Sequence, residues 1–259
     1  WSNLYYNKDF KQLNFAINHN KKLESKIFKN ADCILTVSNS LKEEFEKQAK
    51  RVEVITNGFD SEVLHSDSSE LDEKFTISYI GLLPKQSNPT LFFKVLNEIC
   101  YQNKAFKNDL KLNFIGDISD EVRNEIDHHK LIDNSNFLGY VSHQEAIGFQ
   151  KKSQVLLLLI PNIENAHGIL TGKLFEYLTA NRPILAISPP NRDLQEIINN
   201  TNTGAVLDYN DEQKLKETIE GFYNQYKKGS LQVAAKNIEQ YHRKQLTKKL
   251  AFIIKSLNS

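Results

Sequence analysis

The sequence has no methionine, only two cysteines and six prolines among its 259 residues, and no long apolar run. Cys33 and Cys100 lie in apolar surroundings without the spacing of a zinc or redox motif, so we expect two buried free thiols in a reducing compartment. The longest apolar run, Val155 to Ile160, is far shorter than the roughly 20 residues that a membrane-spanning helix needs. We therefore predict a buried strand there, no transmembrane segment and no signal peptide.

An excess of charge of either sign is also lacking. The chain carries 33 lysines and arginines against 32 aspartates and glutamates, which provides no overall field to attract a nucleic acid or an anionic membrane. We therefore expect no nucleic-acid partner. Because the chain begins at Trp1 and contains no methionine, we expect it to be a piece of a longer protein.

Several catalytic and cofactor motifs are absent. The sequence contains no G-x-G-x-x-G fingerprint of a dinucleotide site, no G-x-S-x-G nucleophile motif and no H-x-x-x-H pair. No group of histidine, cysteine and carboxylate residues has the spacing of metal ligands. We therefore predict no protein-bound metal and no nicotinamide or flavin cofactor, and no catalytic nucleophile is evident.

What the sequence does contain is a regular alternation of strand and helix patterns. Six continuously apolar segments predict strands, each followed by a segment with helical periodicity, and this order favours an α/β fold with a doubly wound parallel sheet. The predicted strands are 75–81, 110–116, 135–141, 153–160, 182–188 and 203–209, and the predicted helices are 89–100, 119–130, 143–151, 172–180, 192–199, 212–227 and 233–257.

A smaller pattern precedes this series. A helix in the first ~30 residues, a strand at 31–38, a helix at 39–48 and a strand at 51–58 form an αβαβ piece that is too small to make a full sheet alone. The polar, acidic stretch that follows predicts a linker. The predicted division is a partial first domain at 1–60, a linker at 61–74, a ligand-binding domain at 75–240 and a C-terminal helix at 241–259 that crosses back to the first domain.

The sequence TGKLFE, from Thr171 to Glu176, places a lysine and a glutamate three residues apart at the start of a predicted helix. In a doubly wound sheet, ligands bind outside the carboxyl ends of the strands. The first-turn amides of Thr171, Gly172 and Lys173, together with the Lys173 charge, suit an anion. The carboxylate of Glu176 suits the two hydroxyls of a ribose. The pattern thus predicts a nucleoside diphosphate site, and a surface ion pair between the lysine and the glutamate is the alternative.

Two other loops that follow strands supply further candidates. Gly81 follows the first strand of the large series and would allow close approach of a phosphate, but a plain turn at the end of the strand explains it as well. Lys85, four residues later, is a candidate cation for the same phosphate, and a solvated surface lysine is the alternative. Tyr140 and Val141 follow the third strand and are candidates to present main-chain groups to a base.

Four segments resemble the family-4-like, group 1 glycosyltransferases of the GT-B fold, in which two Rossmann-like domains face each other across a cleft. They are ADCILTVSNSLKEEF (31–45), ISYIGLL (77–83), NFLGYVSHQE (136–145) and TGKLFEYLTANRPILA (171–186), and the resemblance runs from about residue 31 to the C-terminus. The donor contacts that it implies are Glu176 for the ribose, Thr171, Gly172 and Lys173 for the diphosphate, Tyr140 and Val141 for the base, and Gly81 for the phosphate and sugar region.

The resemblance also implies an activity. It implies transfer of a hexose from a nucleotide sugar, with UDP as the expected nucleotide, to a glycan or lipid-linked acceptor, with retention of configuration and without metal. It further implies a role in bacterial polysaccharide assembly, in the cytoplasm or at the inner face of the membrane. Because the family's acceptor site lies in the first domain, we expect this chain to bind a donor but to transfer poorly without the missing part.

The sequence departs from the family at two places. Gly168 stands where the family has an acidic residue that helps to hold the sugar. Leu82 and Leu83 stand where an arginine is frequent, which leaves Lys85 or Lys173 to neutralise the phosphates. Two alternatives therefore stay open: a non-catalytic nucleotide-sugar-binding module or partner subunit, and a sugar-nucleotide epimerase of the same fold.

Overall fold

The structure, a computed structural model, describes residues 13–60 and 70–257. Its strands are β1 (Ile34–Thr36), β2 (Val52–Val54), β3 (Phe75–Ile80), β4 (Leu110–Ile115), β5 (Ser135–Gly139), β6 (Val155–Leu159), β7 (Ile184–Ile187) and β8 (Gly204–Leu207). Its helices are α1 (Asn14–Asn30), α2 (Asn39–Phe45), α3 (Thr90–Gln102), α4 (Lys104–Asp109), α5 (Asp120–His128), α6 (His143–Lys152), α7 (Gly172–Tyr177), α8 (Arg192–Thr201), α9 (Glu212–Lys227) and α10 (Arg243–Leu257).

The strands β3 to β8 form one six-stranded sheet in the order β5-β4-β3-β6-β7-β8. All neighbouring strands in it are parallel, with Ile77 opposite Leu112 and Leu156 opposite Ile184. The chain builds outward from β3 to β5, returns to place β6 beside β3, and then builds outward to β8 on the other side. This order confirms the predicted doubly wound α/β sheet, and its switch point lies between β3 and β6.

Helices bury both faces of this sheet. Side chains alternate between the two faces along a strand, so in β6 Leu157 lies in a core with α3, α5 and α9, whereas Leu158 lies in a second core with α7 and α8. Both leucines are buried, and full burial of such a side chain contributes on the order of 2 kcal/mol. Because neither face of the central strands meets water, strands such as β6 carry apolar residues at every position, although buried polar residues also occur, such as Ser78 in β3 and Asn113 in β4.

The αβαβ piece forms a separate two-stranded parallel sheet of β1 and β2. Its helix α2 is capped by Ser38, whose side chain accepts a hydrogen bond from the amide of Leu41. Asp193, in the first turn of α8, is 3% exposed and accepts hydrogen bonds from the amides of Asn39 at 2.7 Å and Ser40 at 2.9 Å. The N-terminus of α2 is therefore held directly against the large sheet's α8.

The C-terminal helix α10 starts where the chain returns to the end of the αβαβ piece. The amide of Phe59 donates to the carbonyl of Tyr241 at 3.1 Å, and the carbonyl of Phe59 accepts from the amide of Arg243 at 2.9 Å. These bonds agree with a crossing segment, but the four-part division of the chain stays a prediction. Residues 1–12 of the predicted first helix and 61–69 of the predicted linker lie outside the described residues.

The structure differs from several local predictions: among others, the predicted strands at 31–38 and 51–58 are only Ile34–Thr36 and Val52–Val54. The last helix begins at Arg243 rather than at residue 233, because residues 231–236 form no helix and the chain then turns at Asn237, with a φ of 56°, into a 3-10 turn over Ile238–Tyr241. The short helix α4 was not predicted; its N-cap Asn103 accepts a hydrogen bond from the amide three residues on. Helix α7 ends at Tyr177 rather than at residue 180, since turns follow it and lead to Asn181 with a φ of 54°.

Candidate functional site

Three glycines end neighbouring strands at the carboxyl edge of the sheet, and we call Gly81, Gly116 and Gly139 the glycine edge. Their φ angles of 114°, 117° and 64° lie in the region that disfavours other residues. The amide of Gly81 donates to the carbonyl of Ile115 at 2.7 Å, and the amide of Gly116 donates to the carbonyl of Gly139 at the same distance. A Cβ on Gly116 would lie 2.6 Å from the Gly81 oxygen. The edge itself therefore carries no side chain: Lys173 lies beside Gly81, the Gly81 backbone lies beside Gly116, and the space at Gly139 is open.

Lys173 reaches from α7 to this edge. Its Nζ donates to the hydroxyl of Tyr79 at 2.8 Å and lies 4.0 Å from the centre of the Tyr79 ring. A Cβ placed on Gly81 would be 3.0 Å from the same Nζ. The hydroxyl of Tyr79 in turn donates to the carbonyl of Leu82 at 2.7 Å. The ammonium group is thus fixed beside Gly81 by a buried tyrosine, and its remaining N–H groups are available to an anion.

The electrostatic environment of Lys173 makes its charge responsive to a ligand. Burial lowers the pKa of Lys173 from 10.5 to about 8, and the negative charge of Glu176 opposes part of that shift. Burial also raises the pKa of Tyr79 well above its usual range, so the tyrosine is a neutral hydroxyl. An anion bound beside Gly81 would favour the protonated form of Lys173.

Glu176 points away from Lys173, toward α6. Its Oε2 accepts a hydrogen bond from Nε2 of Gln150 at 3.1 Å, and its Oε1 lies 3.3 Å from Nε2 of His143. No hydrogen bond or ion pair between Lys173 and Glu176 is found in the described part of the chain, so the alternative of a surface ion pair does not match the structure. The two charges face different parts of the site.

His143 and Gln150 were not among the sequence-predicted site residues. They lie seven residues apart on α6, almost two helical turns, and therefore share one face of that helix. The helix is positioned by a capping box in which Ser142 and Glu145 bond each other's backbone amides. The one sequence signal for Gln150 was its place on the apolar face that also carries Ala146 and Ile147, where an amide is unexpected.

Thr171 and Gly172 begin α7, as predicted. Thr171 is the N-cap, yet its side chain makes no capping hydrogen bond, and its Oγ1 is buried without a partner among the described residues. Gly172 is exposed, and a Cβ there would meet nothing within 4 Å. Because α7 has only six residues, its dipole is small, and the proposed contact of the first-turn amides with phosphate stays a prediction.

The remaining predicted residues lie around the glycine edge or outside it. Tyr140 directly follows Gly139 and is 94% exposed, while Val141 is half-buried. Lys85 is exposed on a short 3-10 turn. The pKa of Glu121 is lowered mainly by a backbone hydrogen bond and by Ser119, and less by the charge of Lys85. The described contacts bring together Gly81 and Lys173 on one side and Glu176 with α6 on the other, but they do not include Lys85.

The structure gives a steric reason for the missing acidic residue at position 168. A Cβ on Gly168 would lie 2.7 Å from Cγ of Leu41 and 3.1 Å from Oγ of Ser38. Helix α2 therefore fills the space that a longer side chain at position 168 would need.

Within residues 13–60 and 70–257, no three histidine, cysteine or acidic side chains are grouped so that they could hold a metal ion. Over the same residues, no helix is long and apolar enough to cross a membrane. Both cysteines are free, but only Cys100 is buried; Cys33 is half-buried just before β1, so the expectation of two buried thiols was wrong for it.

Comparisons with known proteins agree with this fold. The model of the family described as glycosyl transferases group 1 matches residues 60–245. A sucrose-phosphate synthase from Thermosynechococcus elongatus has 13% identity and a TM-score of 0.73, over 93% of this chain and 62% of its own. The lipopolysaccharide-biosynthesis glycosyltransferase WaaG has 13% identity and a TM-score of 0.67, over 94% of this chain and 71% of its own. The pneumococcal O-GlcNAc transferase GtfA, in complex with UDP and GlcNAc, has 17% identity and a TM-score of 0.66, over 90% of this chain and 47% of its own.

These similarities confirm the Rossmann-like fold of the GT-B glycosyltransferases that the sequence predicted. At such identities, likeness to a solved structure shows the fold alone. The chain spans less than two thirds of the synthase and about half of GtfA, so activity and substrates do not carry over from them. No curated protein sequence matches the chain significantly.

Proposed function

Since the chain belongs to the family of glycosyl transferases group 1, we propose that it binds a nucleoside diphosphate sugar at the glycine edge and transfers the hexose to a glycan or lipid-linked acceptor. One observation carries the proposal. A single short helix, α7, directs Lys173 to the glycine edge and Glu176 toward α6, so that a cation and a carboxylate lie one helical turn apart beside the carboxyl edge of the sheet.

The diphosphate is proposed to lie against the glycine edge. There no side chain projects from Gly81, Gly116 or Gly139, and Lys173 places its ammonium group 3.0 Å from the Cβ position of Gly81. A charge held by a buried tyrosine needs little rearrangement when phosphate arrives, which favours binding of the leaving group. Lys85, as an exposed lysine, and the first-turn amides at Thr171 and Gly172 are proposed as further contacts.

The ribose is proposed to lie against Glu176. A carboxylate only accepts hydrogen bonds and has four lone-pair sites on its two oxygens, so it suits a pair of adjacent hydroxyl groups. The base would then lie toward the end of β5, near the main chain of Tyr140 and Val141. UDP is the nucleotide that we propose first, and GtfA, a structural neighbour, was solved with UDP.

The transfer step is proposed to retain configuration and to need no metal, since the sequence offers no nucleophile and no metal-ligand pattern. The acceptor oxygen would attack the anomeric carbon on the face from which the diphosphate departs. As the bond between that carbon and the phosphate oxygen breaks, the acceptor proton passes to the departing phosphate. Lys173 would stabilise the negative charge that develops there. We propose that this reaction serves bacterial polysaccharide assembly in the cytoplasm or at the inner face of the membrane.

A second candidate function is a non-catalytic nucleotide-sugar-binding module or partner subunit. The observation that favours it is Gly168, where contact with Leu41 leaves no room for the acidic side chain that the family uses near the sugar. Binding without turnover in the whole protein would support this second candidate, and turnover would exclude it.

Calorimetric titration tests the proposed site. UDP, GDP, ADP and NAD would be titrated into the wild type, Lys173→Ala and Glu176→Ala, with Lys104→Ala as a control because Lys104 is exposed and precedes β4, away from the carboxyl edge. We expect one nucleoside diphosphate to bind and each site variant to weaken it by about 10- to 100-fold, as for loss of a hydrogen bond to a charged group. Binding of NAD alone, or full affinity in both site variants, would contradict the proposal.

A further inference from the structure

Gln150 is a buried polar residue whose presence packing does not explain. It is 1% exposed, on the face of α6 that also carries Ala146 and Ile147. Its Nε2 donates to Glu176, but its Oε1 has no hydrogen-bond partner among the described residues. A buried carbonyl without a partner costs free energy of folding, and an apolar side chain of the same volume would avoid that cost. The amide is therefore better explained by what it does to Glu176.

The two partners of Glu176 differ in how firmly they are held. Gln150 is enclosed in the protein, whereas 63% of the His143 side chain is exposed. They contact different oxygens of the carboxylate: Nε2 of Gln150 donates to Oε2 at 3.1 Å, and Nε2 of His143 lies 3.3 Å from Oε1. Because burial restricts the rotamers of Gln150, it fixes the plane of the carboxylate. Because Oε1 faces the exposed His143, it is the oxygen that a ligand hydroxyl can reach once that side chain moves away.

We propose that Gln150 is a positioning residue that aims the Glu176 carboxylate at the ribose hydroxyls, and that His143 takes the place of a ribose hydroxyl on Oε1 in the free protein. The inference rests on the proposed function, because it presumes that a ribonucleotide binds beside Glu176. It goes further in assigning to Gln150 the preference for ribose over deoxyribose. A donor that only held α7 against α6 would affect stability and all ligands equally.

The test compares UDP with 2′-deoxy-UDP by calorimetry. The proteins are the wild type, Gln150→Met, which keeps the volume but removes the amide, Glu176→Gln, and the control Gln144→Met, an exposed position on the same helix. We expect the wild type and the control to prefer UDP by about tenfold, as for one hydrogen bond to a charged group. In Gln150→Met the preference for UDP over 2′-deoxy-UDP should fall to within about twofold of the preference in Glu176→Gln. The affinity of Gln150→Met for 2′-deoxy-UDP should stay close to that of the wild type.

Three results would count against the inference, and they are distinguishable. If the wild type binds no nucleoside diphosphate, the proposed function fails and the inference with it. If UDP binds and Glu176→Gln loses the preference but Gln150→Met keeps it, only the role of Gln150 is overturned. If His143→Ala, tested beside these variants, loses the preference as completely as Glu176→Gln while Gln150→Met keeps it, His143 rather than Gln150 is the aiming residue. Should Gln150→Met not fold, as judged by circular dichroism, Gln150→Asn retracts the amide by one methylene and must give the same loss.

Discussion

Raising the pH from 7 to 9 is expected to weaken the binding of UDP about tenfold, because the pKa of Lys173 in the free protein is about 8. Roughly nine tenths of such side chains are protonated one pH unit below the pKa, and roughly one tenth one unit above it. If the protonated protein is the form that binds the diphosphate, the dissociation constant rises by the ratio of these fractions. A lysine with the ordinary pKa of 10.5 would give almost no change over this range.

The assay is calorimetry with UDP between pH 6.5 and 9.5, on the wild type, Lys173→Arg and Lys104→Ala. Arginine stays charged throughout this range, so Lys173→Arg should bind with a dissociation constant that hardly changes above pH 8. Lys104→Ala removes a distant exposed lysine and should keep the wild-type slope. The assignment of this lysine to the diphosphate would be refuted if the UDP dissociation constant rose with pH as steeply in Lys173→Arg as in the wild type. It would also be refuted if the wild-type dissociation constant did not change with pH.

The same lowered pKa gives a stability effect of the opposite sign. Between about pH 8 and 10.5, Lys173 is more fully protonated in the unfolded chain than in the folded protein, so its contribution makes the free energy of unfolding rise with pH across that window. Below pH 8 the buried charge opposes folding. Lys173→Met, which keeps the apolar stem, should therefore raise the Tm at pH 7 while weakening UDP binding. A lower Tm together with weaker binding would mean general damage rather than a lost site.

Three further substitutions test the packing that builds the site, each by urea unfolding. Gly116→Ala should lose about 2–4 kcal/mol, because its φ of 117° is strained for alanine and the new Cβ would lie 2.6 Å from the oxygen of Gly81. Asp193→Ala should lose about 3 kcal/mol, since it removes the acceptor for two amides of α2. Gly168→Glu should lose about 3 kcal/mol, because its Cβ would lie 2.7 Å from Cγ of Leu41.

Gly148 provides a matched control for the glycine substitutions. It lies inside α6, and a Cβ there would meet nothing within 4 Å, so Gly148→Ala should stabilise the protein by up to about 1 kcal/mol. Wild-type stability in Gly116→Ala would contradict the close approach at the glycine edge. Wild-type stability in Gly168→Glu would show that α2 does not fill the space beside position 168. Wild-type stability in Asp193→Ala would show that the contact between α2 and α8 contributes little to the stability of the protein.

The large sheet could be predicted from the sequence because its signals are local. Strands such as β6, with apolar residues at every position from Val155 to Leu159, indicate burial on both faces, and their alternation with helices indicates parallel pairing. The last helix shows where local signals fail. It was predicted to start at residue 233 but starts at Arg243, because the backbone on both sides of residue 242 forms hydrogen bonds with Phe59, which is far away in the sequence.

The candidate site was only partly predictable for the same reason. The sequence was enough to locate the loops that follow the strands and, in one of them, the pair Lys173 and Glu176. This was possible because ligands of a doubly wound sheet bind at the carboxyl ends of its strands, and the strand order of the sequence indicates that fold class. The partners of that pair could not be found, because Tyr79 is 94 residues from Lys173 and Gln150 is 26 residues from Glu176. No helical or strand period connects residues at such separations.

A structure of the chain with UDP bound would test the central claim most directly. We predict the diphosphate against Gly81 and Gly116, with an oxygen within about 3 Å of the Lys173 Nζ, and a ribose hydroxyl within about 3 Å of the Glu176 Oε1 in place of His143. UDP bound elsewhere, or bound here with its ribose turned away from Glu176, would contradict the claim that these two side chains divide the recognition of one nucleotide between them.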